Sequence, residues 1–384
     1  MKRMNNPFII TGNIPEKYFC DRVDESAKII RTLSNGGNLC LMSPRRMGKS
    51  KLVKFCYDKH EMSDKFYTFY VDILHTSGLR EFTYAFGQKV FDTLHTKSKK
   101  MFTSFVQGLK SINAKFGFDP VNNTPTFSLE LGDISRPEYT LAEIFECLEK
   151  ADKPCIVAFD EFQQITKYPE KNIEALLRSH IQQFSNVNFI FSGSERHIVS
   201  EMFLSSARPF YNSTSIMELH PIKPDVYKDF VCSLFQEFGR KVDEDDVLKI
   251  YNAFEGNTYY MQKTFHEAFI NTSECEICTL DMLRQTINSM IEEEGDGYRL
   301  LLSRIPERQK ELLYAIAAEG KAEKIMSSAF IRKYSLLSAS SVQAAVRKLM
   351  EYDLLTVDNG TYCISDILFR MYLIRLRDKN IEFV

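Results

Sequence analysis

The chain has 384 residues, 44% of them hydrophobic and 26% charged, a balance that suits a folded globular protein and excludes a disordered, collagen-like or disulfide-scaffold chain. At about 150 residues per domain the length implies two or three domains. Lys plus Arg number 49 against 51 for Asp plus Glu, a net charge of −2, so no overall positive field gathers nucleic acid and any such contact must be local.

The N-terminus opens with the basic pair Lys2 and Arg3, but Pro7, Gly12 and Pro15 break its short apolar patch, so the hydrophobic stretch of a signal peptide is missing. The longest apolar runs, such as 155–159, are strand-sized, far below the roughly 20 residues that a membrane-spanning helix needs. No membrane segment and a cytoplasmic location are therefore expected. Nine cysteines, an odd number scattered from Cys20 to Cys363, fit reduced thiols better than a disulfide framework.

The first 222 residues alternate β-rich apolar runs with helical patterns, which predicts an α/β domain with a mostly parallel sheet covered by helices. Its candidate strands are 38–42, 65–73, 155–160, 187–192 and 214–219. The first runs into Ser43-Pro44-Arg45-Arg46-Met47-Gly48-Lys49-Ser50-Lys51 and then into a helix with Leu52, Val53 and Cys56 on its inner side. A buried strand, a loop ending Gly-Lys-Ser and a helix make up the context of a P-loop, although Ser43 stands where the motif begins with Gly. Phosphate would sit on the helix N-terminus among backbone N–H groups, with Lys49 on the β and γ phosphates of ATP and Ser50 on Mg²⁺.

Between the second and third strands, 78–148 opens as amphipathic helix, and two β-like runs around a Pro and Asn cluster predict a hairpin within an insertion at about 96–135. The third strand ends in Asp160-Glu161. Asp160 would join the Mg²⁺ shell and Glu161 would polarise a water for attack on the γ-phosphate, which implies hydrolysis and not binding alone.

From 223 the pattern turns helical, with breaks at Gly239 and at Gly256-Asn257 and with Thr279 as an N-cap, predicting a small helical domain over 223–297. Cys275 and Cys278 form an isolated CxxC that lacks the further ligands of a structural zinc site. The polar run 292–297 suits a linker or helix end. The last domain, 298–384, reads as three helices, two short strands around Asp358-Asn359-Gly360 and a closing helix, a winged helix-turn-helix. Its recognition helix offers Ser338, Ser340, Ser341, Gln343, Arg347 and Lys348, but residues 338–363 hold two basic against three acidic side chains. Protein contact and DNA binding are equally open. His180, His197 and His220 have no metal-ligand spacing.

SPRRMGKS, the Asp-Glu strand, the strand ending Phe191-Ser192-Gly193-Ser194 and GNTYYMQ at 256–262 together resemble the archaeal-type ATPase family within the AAA+ and STAND P-loop ATPases. The resemblance spans most of the chain and implies a P-loop NTPase sheet, a helical lid and a C-terminal winged helix. It places the 187–192 strand between the P-loop and acidic strands, with Ser192 or Ser194 near the γ-phosphate. Residues 15–25 are similar to the family's Phe-x-x-Arg segment, which implies Arg22 near the adenine. The lid motif implies a nucleotide contact for Asn257, although Thr258 replaces the usual Pro. Arg45 and Arg46 take a phosphate-positioning role by the same likeness. Arg208 lies where AAA+ proteins often carry an arginine finger, Arg196 is its rival, and a salt-bridging arginine is the alternative for both. The implied activity is an ATP/ADP-binding, Mg²⁺-dependent ATPase working as a molecular switch, slow without a partner. ATP-regulated DNA binding and a non-hydrolysing scaffold are the alternatives, and a homo-oligomer is possible.

Overall fold

The computed structural model describes residues 6–111, 115–119, 124–128, 131, 134–358, 360–378 and 381–384. Lys2 and Arg3 at the N-terminus, Pro120, Asn122 and Asn123 in the expected hairpin turn, and Asn359 at the expected wing tip lie outside them. The chain divides into two compact units, Arg22–His220 and Met1–Asp21 with Pro221–Val384.

The first unit is built on five parallel strands, β1 (Leu39–Met42), β2 (Tyr67–Asp72), β5 (Cys155–Asp160), β6 (Val187–Gly193) and β7 (Ser215–Glu218). Their order is β2-β5-β6-β1-β7, so β6 stands between the P-loop strand and the acidic strand, as the family resemblance implied. β5 and β6 are buried along their whole length, which is why they read as unbroken apolar runs and not as alternating ones. Helices α1 (Val23–Ser34), α2 (Lys49–Asp58), α3 (His60–Ser63), α4 (Leu79–Lys97), α5 (Lys99–Gly108), α6 (Pro137–Glu149), α7 (Ile173–Ile181) and α8 (Arg196–Leu204) belong to this unit. The expected insertion comprises α5 and an antiparallel hairpin of β3 (Lys115–Asp119) and β4 (Thr124–Ser128). The expected strands 65–73 and 214–219 are trimmed to 67–72 and 215–218.

Phenylalanine fills this core. Phe159, Phe162, Phe189, Phe191, Phe203 and Phe210 are all buried, with Phe162 and Phe191 rings 4.6 Å apart and Phe162 and Phe210 5.3 Å apart. The packing matters for the site because Phe162 opens the 3₁₀ turn Phe162–Lys167 directly after Asp160-Glu161. Burying a ring of this size contributes on the order of 2 to 3 kcal/mol and anchors the turn to β6.

The second unit gathers α9 (Pro224–Glu237), α10 (Glu244–Ala253), α11 (Thr258–Asn271), α12 (Leu280–Glu293) and α13 (Gly295–Ser303), with a short parallel pair β8 (Lys241–Val242) and β9 (Ile277–Cys278). Asn257 caps α11 by accepting from the Tyr260 N–H at 3.3 Å, and Thr279 caps α12 through the Met282 N–H. The 292–297 run is a helix end, with α12 stopping at Glu293 and α13 starting at Gly295. α14 (Glu307–Glu319), β10 (Ala322–Glu323), α15 (Ser328–Lys333), α16 (Ala339–Glu351), β11 (Leu355–Asp358), β12 (Thr361–Ile364) and α17 (Ile367–Arg377) form the C-terminal winged helix.

Residues 6–21, read from sequence with the α/β domain, cluster with this second unit instead. The reason is apolar. Phe8 is fully buried, 5.5 Å from Phe235, 5.9 Å from Phe265 and 5.8 Å from Phe269 by ring centroids, while the Asn6 amide donates to the His266 carbonyl at 2.9 Å. Cys278 is fully buried, and burial pushes its thiol up to about 11, while Cys275 is exposed. Among the described residues no three His, Cys, Asp or Glu side chains gather as a metal cluster, and no helix is long and apolar enough to cross a membrane.

Candidate functional site

The loop between β1 and α2 is shaped by its backbone. Gly48 has φ +88°, a left-handed conformation that glycine adopts without steric cost, and it is the N-cap of α2. Arg46 also has φ +66°. Pro44, Arg45 and Arg46 are exposed, whereas Ser43, Met47 and Lys49 are buried, and Lys51 is partly buried. Ser43, which replaces the usual glycine, is accommodated because its Oγ donates to the Pro44 carbonyl at 2.9 Å and its N–H reaches the Gly193 carbonyl at 3.5 Å. Leu52, Val53 and Cys56 are buried as the helical spacing predicted.

Lys49 is only 6% exposed, and its Nζ donates to the Ser43 carbonyl at 3.3 Å. Burial lowers its pKa, and the charges of Glu161 and Asp160 partly oppose that shift. A buried ammonium beside two carboxylates, at the mouth of a helix N-terminus, is an anion-directed group.

Asp160, at the end of β5, collects hydrogen bonds from three elements. Ser50 Oγ donates to its Oδ2 at 2.7 Å, the Tyr70 hydroxyl donates to the same oxygen, Ser192 Oγ donates to Oδ1, and the Glu161 N–H donates to Oδ1 at 3.1 Å. Burial, then the charge of Asp160, raises the Tyr70 pKa far above the phenol range, so its hydroxyl stays a donor. Ser50 hydroxyl and Asp160 carboxylate are hard oxygen ligands on adjacent elements, and one or two carboxylates together with phosphate oxygens are what Mg²⁺ uses. The donor set therefore fits that cation.

Glu161 sits at φ +55°, a left-handed position that costs a non-glycine residue on the order of 1 kcal/mol and turns its side chain away from the strand. Its Oε2 accepts from the Gln163 amide and from Ser194 Oγ, each at 2.6 Å, and Arg45 Nε donates to that Ser194 oxygen at 3.4 Å. The two serines left open by the sequence thus serve different carboxylates, Ser192 on Asp160 and Ser194 on Glu161.

Gln163 depends on a glycine. A Cβ on Gly193 would stand 2.4 Å from Gln163 Oε1 and 2.5 Å from Val199 Cγ2. We expect Gly193→Ala to push Gln163 off Glu161. Its melting temperature should fall by several degrees, from an overpacking cost of about 1 to 3 kcal/mol, and its turnover should fall further than its nucleotide affinity. A melt and a rate measured on the one variant check this.

The remaining sequence candidates do not join this cluster. Arg208 is held by Glu174, with its Nε 3.2 Å from Oε2 and a second contact from Nη2 to Oε1, and its Nη1 is 3.0 Å from Glu201. These ion pairs match the salt-bridging alternative. Arg208→Ala should strip Glu174, whose carboxyl burial already raises, of its counter-charge. The expected cost is about 2 kcal/mol, or some 4 to 8 °C in melting temperature, with turnover little changed in the folded protein, as paired melting and rate measurements would show. Arg196 pairs with Glu218. Arg22, at φ +69° and 5% exposed, donates to Glu25 at 2.7 Å and leaves its buried Nη2 without a partner. Asn257 belongs to the second compact unit.

Tyr70 and Gln163 carry no motif. Tyr70 could have been found only from sheet order, since β2 neighbours β5 and its pairing of Tyr70 with Ala158 puts it on the face of Asp160, two residues on. Gln163 could have been found from its spacing, two residues past Glu161.

A parallel sheet in this order with a Gly-Lys-Ser loop facing an acidic strand defines a P-loop ATPase fold followed by a winged helix. The chain belongs to the family described as the ATPase domain predominantly from Archaea, whose model matches residues 19–264, and residues 296–375 match a probable winged helix domain. A search of curated proteins finds no match. Among solved structures, the Walker-type ATPase PABY2304 of Pyrococcus abyssi is similar with a TM-score of 0.66 and 19% identity, covering 96% of this chain and 99% of that one. The ORC2 protein of Aeropyrum pernix, solved in ADPNP-ADP complexes, has a TM-score of 0.60 and 13% identity over 98% of this chain and 97% of that one. The ORC1 protein of Aeropyrum pernix, solved in complex with DNA, has 0.52 and 12% over 98% and 97%. These are likenesses of fold.

Proposed function

We propose that the chain binds ATP, hydrolyses it with Mg²⁺ and works as a nucleotide-driven switch. The observation that carries this reading is the meeting of Ser50 and Asp160 at 2.7 Å beside the buried Lys49, at the N-terminus of α2. In this reading the loop N–H groups and Lys49 hold the β and γ phosphates, with Arg45 and Arg46 near them. Ser50 and Asp160 hold the cation, which when bound neutralises charge on the β and γ oxygens. Glu161 orients the attacking water and takes its proton, and Gln163 and Ser194 keep its carboxylate in place until then. Arg22 serves the base, with its unpartnered Nη2 as the available donor. In this reading residues 298–384 carry the response. The family and the ADPNP-ADP complexes of the Aeropyrum ORC2 protein support nucleotide as the ligand.

Calorimetric titration of ATP and ADP, with Mg²⁺ and with EDTA, tests the reading, and no binding in either condition would reject it. A second reading, ATP-regulated DNA binding through the winged helix, draws on the DNA complex of the Aeropyrum ORC1 protein. The exposed Ser340, Gln343 and Arg347 on α16 are suited to it, although Lys348 is paired with Glu351 at 2.7 Å. Turnover with and without duplex DNA, at varied protein concentration, separates the two and also reports whether copies of the chain assemble.

A further inference from the structure

We infer that Tyr70 is a positioning residue for the divalent cation, holding the Asp160 carboxylate in its cation-binding orientation. This rests on the nucleotide-site reading above. A carboxylate has about four lone-pair sites, and Asp160 fills them with four donors: Ser50 and Tyr70 on Oδ2, Ser192 and the Glu161 N–H on Oδ1. A cation or its bound water can reach this carboxylate only if one donor leaves. Ser50 is the donor built to do so, because its hydroxyl swings about a single torsion and is itself a ligand for the same cation. Tyr70 can leave only by moving its whole ring.

That ring is held. Tyr70 lies on β2, whose register with β5 is continuous from Tyr67 opposite Cys155 to Asp72 opposite Asp160. Lys54 places its Nζ 4.4 Å from the ring centroid. Lys54 stands one helical turn beyond Ser50 on α2, so the helix that supplies the movable donor also grips the immovable one. Tyr70 therefore keeps Oδ2 hydrogen-bonded and aimed while Ser50 turns to the cation.

Groups that hydrogen-bond a metal-ligating side chain are typically worth 10-fold to 100-fold in metal affinity. The test is ATP binding by calorimetry in EDTA and across a Mg²⁺ titration, for wild type and Tyr70→Phe, with the spectrum of bound Mn²⁺ as a second readout. The expected result is an EDTA affinity within about twofold of wild type, with a Mg²⁺ requirement raised about 10-fold to 100-fold and a Mn²⁺ spectrum that shifts. An unchanged Mg²⁺ requirement in Tyr70→Phe overturns the inference and leaves the nucleotide site standing. A wild type that binds no ATP overturns both. Should Tyr70→Phe fail to fold, Lys54→Met carries the test, since freeing the ring must raise the Mg²⁺ requirement in the same direction, and an unchanged requirement there overturns the inference equally.

Discussion

Lys49→Ala is expected to remove measurable ATP binding. Its ammonium is buried, and burial has already lowered its pKa, so the cation has given up much of its water and gains most from a phosphate partner. Within the chain its hydrogen-bond partner is the Ser43 carbonyl at 3.3 Å, a long hydrogen bond that phosphate can replace. Hydrogen bonds to charged groups are worth about 1.5 to 3 kcal/mol each, so losing two or more of them lowers affinity by roughly 10²-fold or more. Calorimetry measures the loss, and a melting curve of the ligand-free variant confirms that the fold survives. Affinity kept within threefold would remove Lys49 from the phosphate site.

Glu161→Gln is expected to bind ATP nearly as wild type does and to stop turning it over. Glutamine has the same shape and can stay at the left-handed backbone position that Phe162 anchors, but it cannot take a proton from water. General-base catalysis contributes about 10²-fold to 10⁴-fold, and the rate should fall by that much. Equal losses of binding and rate would mean that Glu161 holds the bound nucleotide instead of activating water.

How much of this was legible in the sequence follows from how local each feature is. The Gly-Lys-Ser loop and the Asp-Glu strand end are each contained in under ten residues, and their chemistry demands those residue types at that spacing. The buried strands were legible because a strand covered on both faces is apolar throughout, and the cap at Thr279 because capping chemistry is confined to one turn. What was hidden is set by tertiary neighbours. The Tyr70 contact arises from β2 lying beside β5, across 90 residues of sequence. Phe8 reads only as part of a short apolar patch with Ile9 and Ile10 until Phe235, Phe265 and Phe269 surround it. Arg208 carries the same letters whatever it pairs with, and its partners Glu174 and Glu201 lie 34 and 7 residues away. Gly193 looks like a pause at a strand end, yet the space its missing Cβ leaves is where Gln163 reaches Glu161.

The most direct measurement is phosphate release from ATP by the purified chain at saturating Mg²⁺, run beside Glu161→Gln under conditions where calorimetry shows both to be nucleotide-bound. The account predicts release by wild type that ceases in EDTA and is at least about 10²-fold slower in Glu161→Gln. Wild-type protein that is fully ATP-bound with Mg²⁺ but releases no phosphate, or a Glu161→Gln variant that releases it at the wild-type rate, would contradict it.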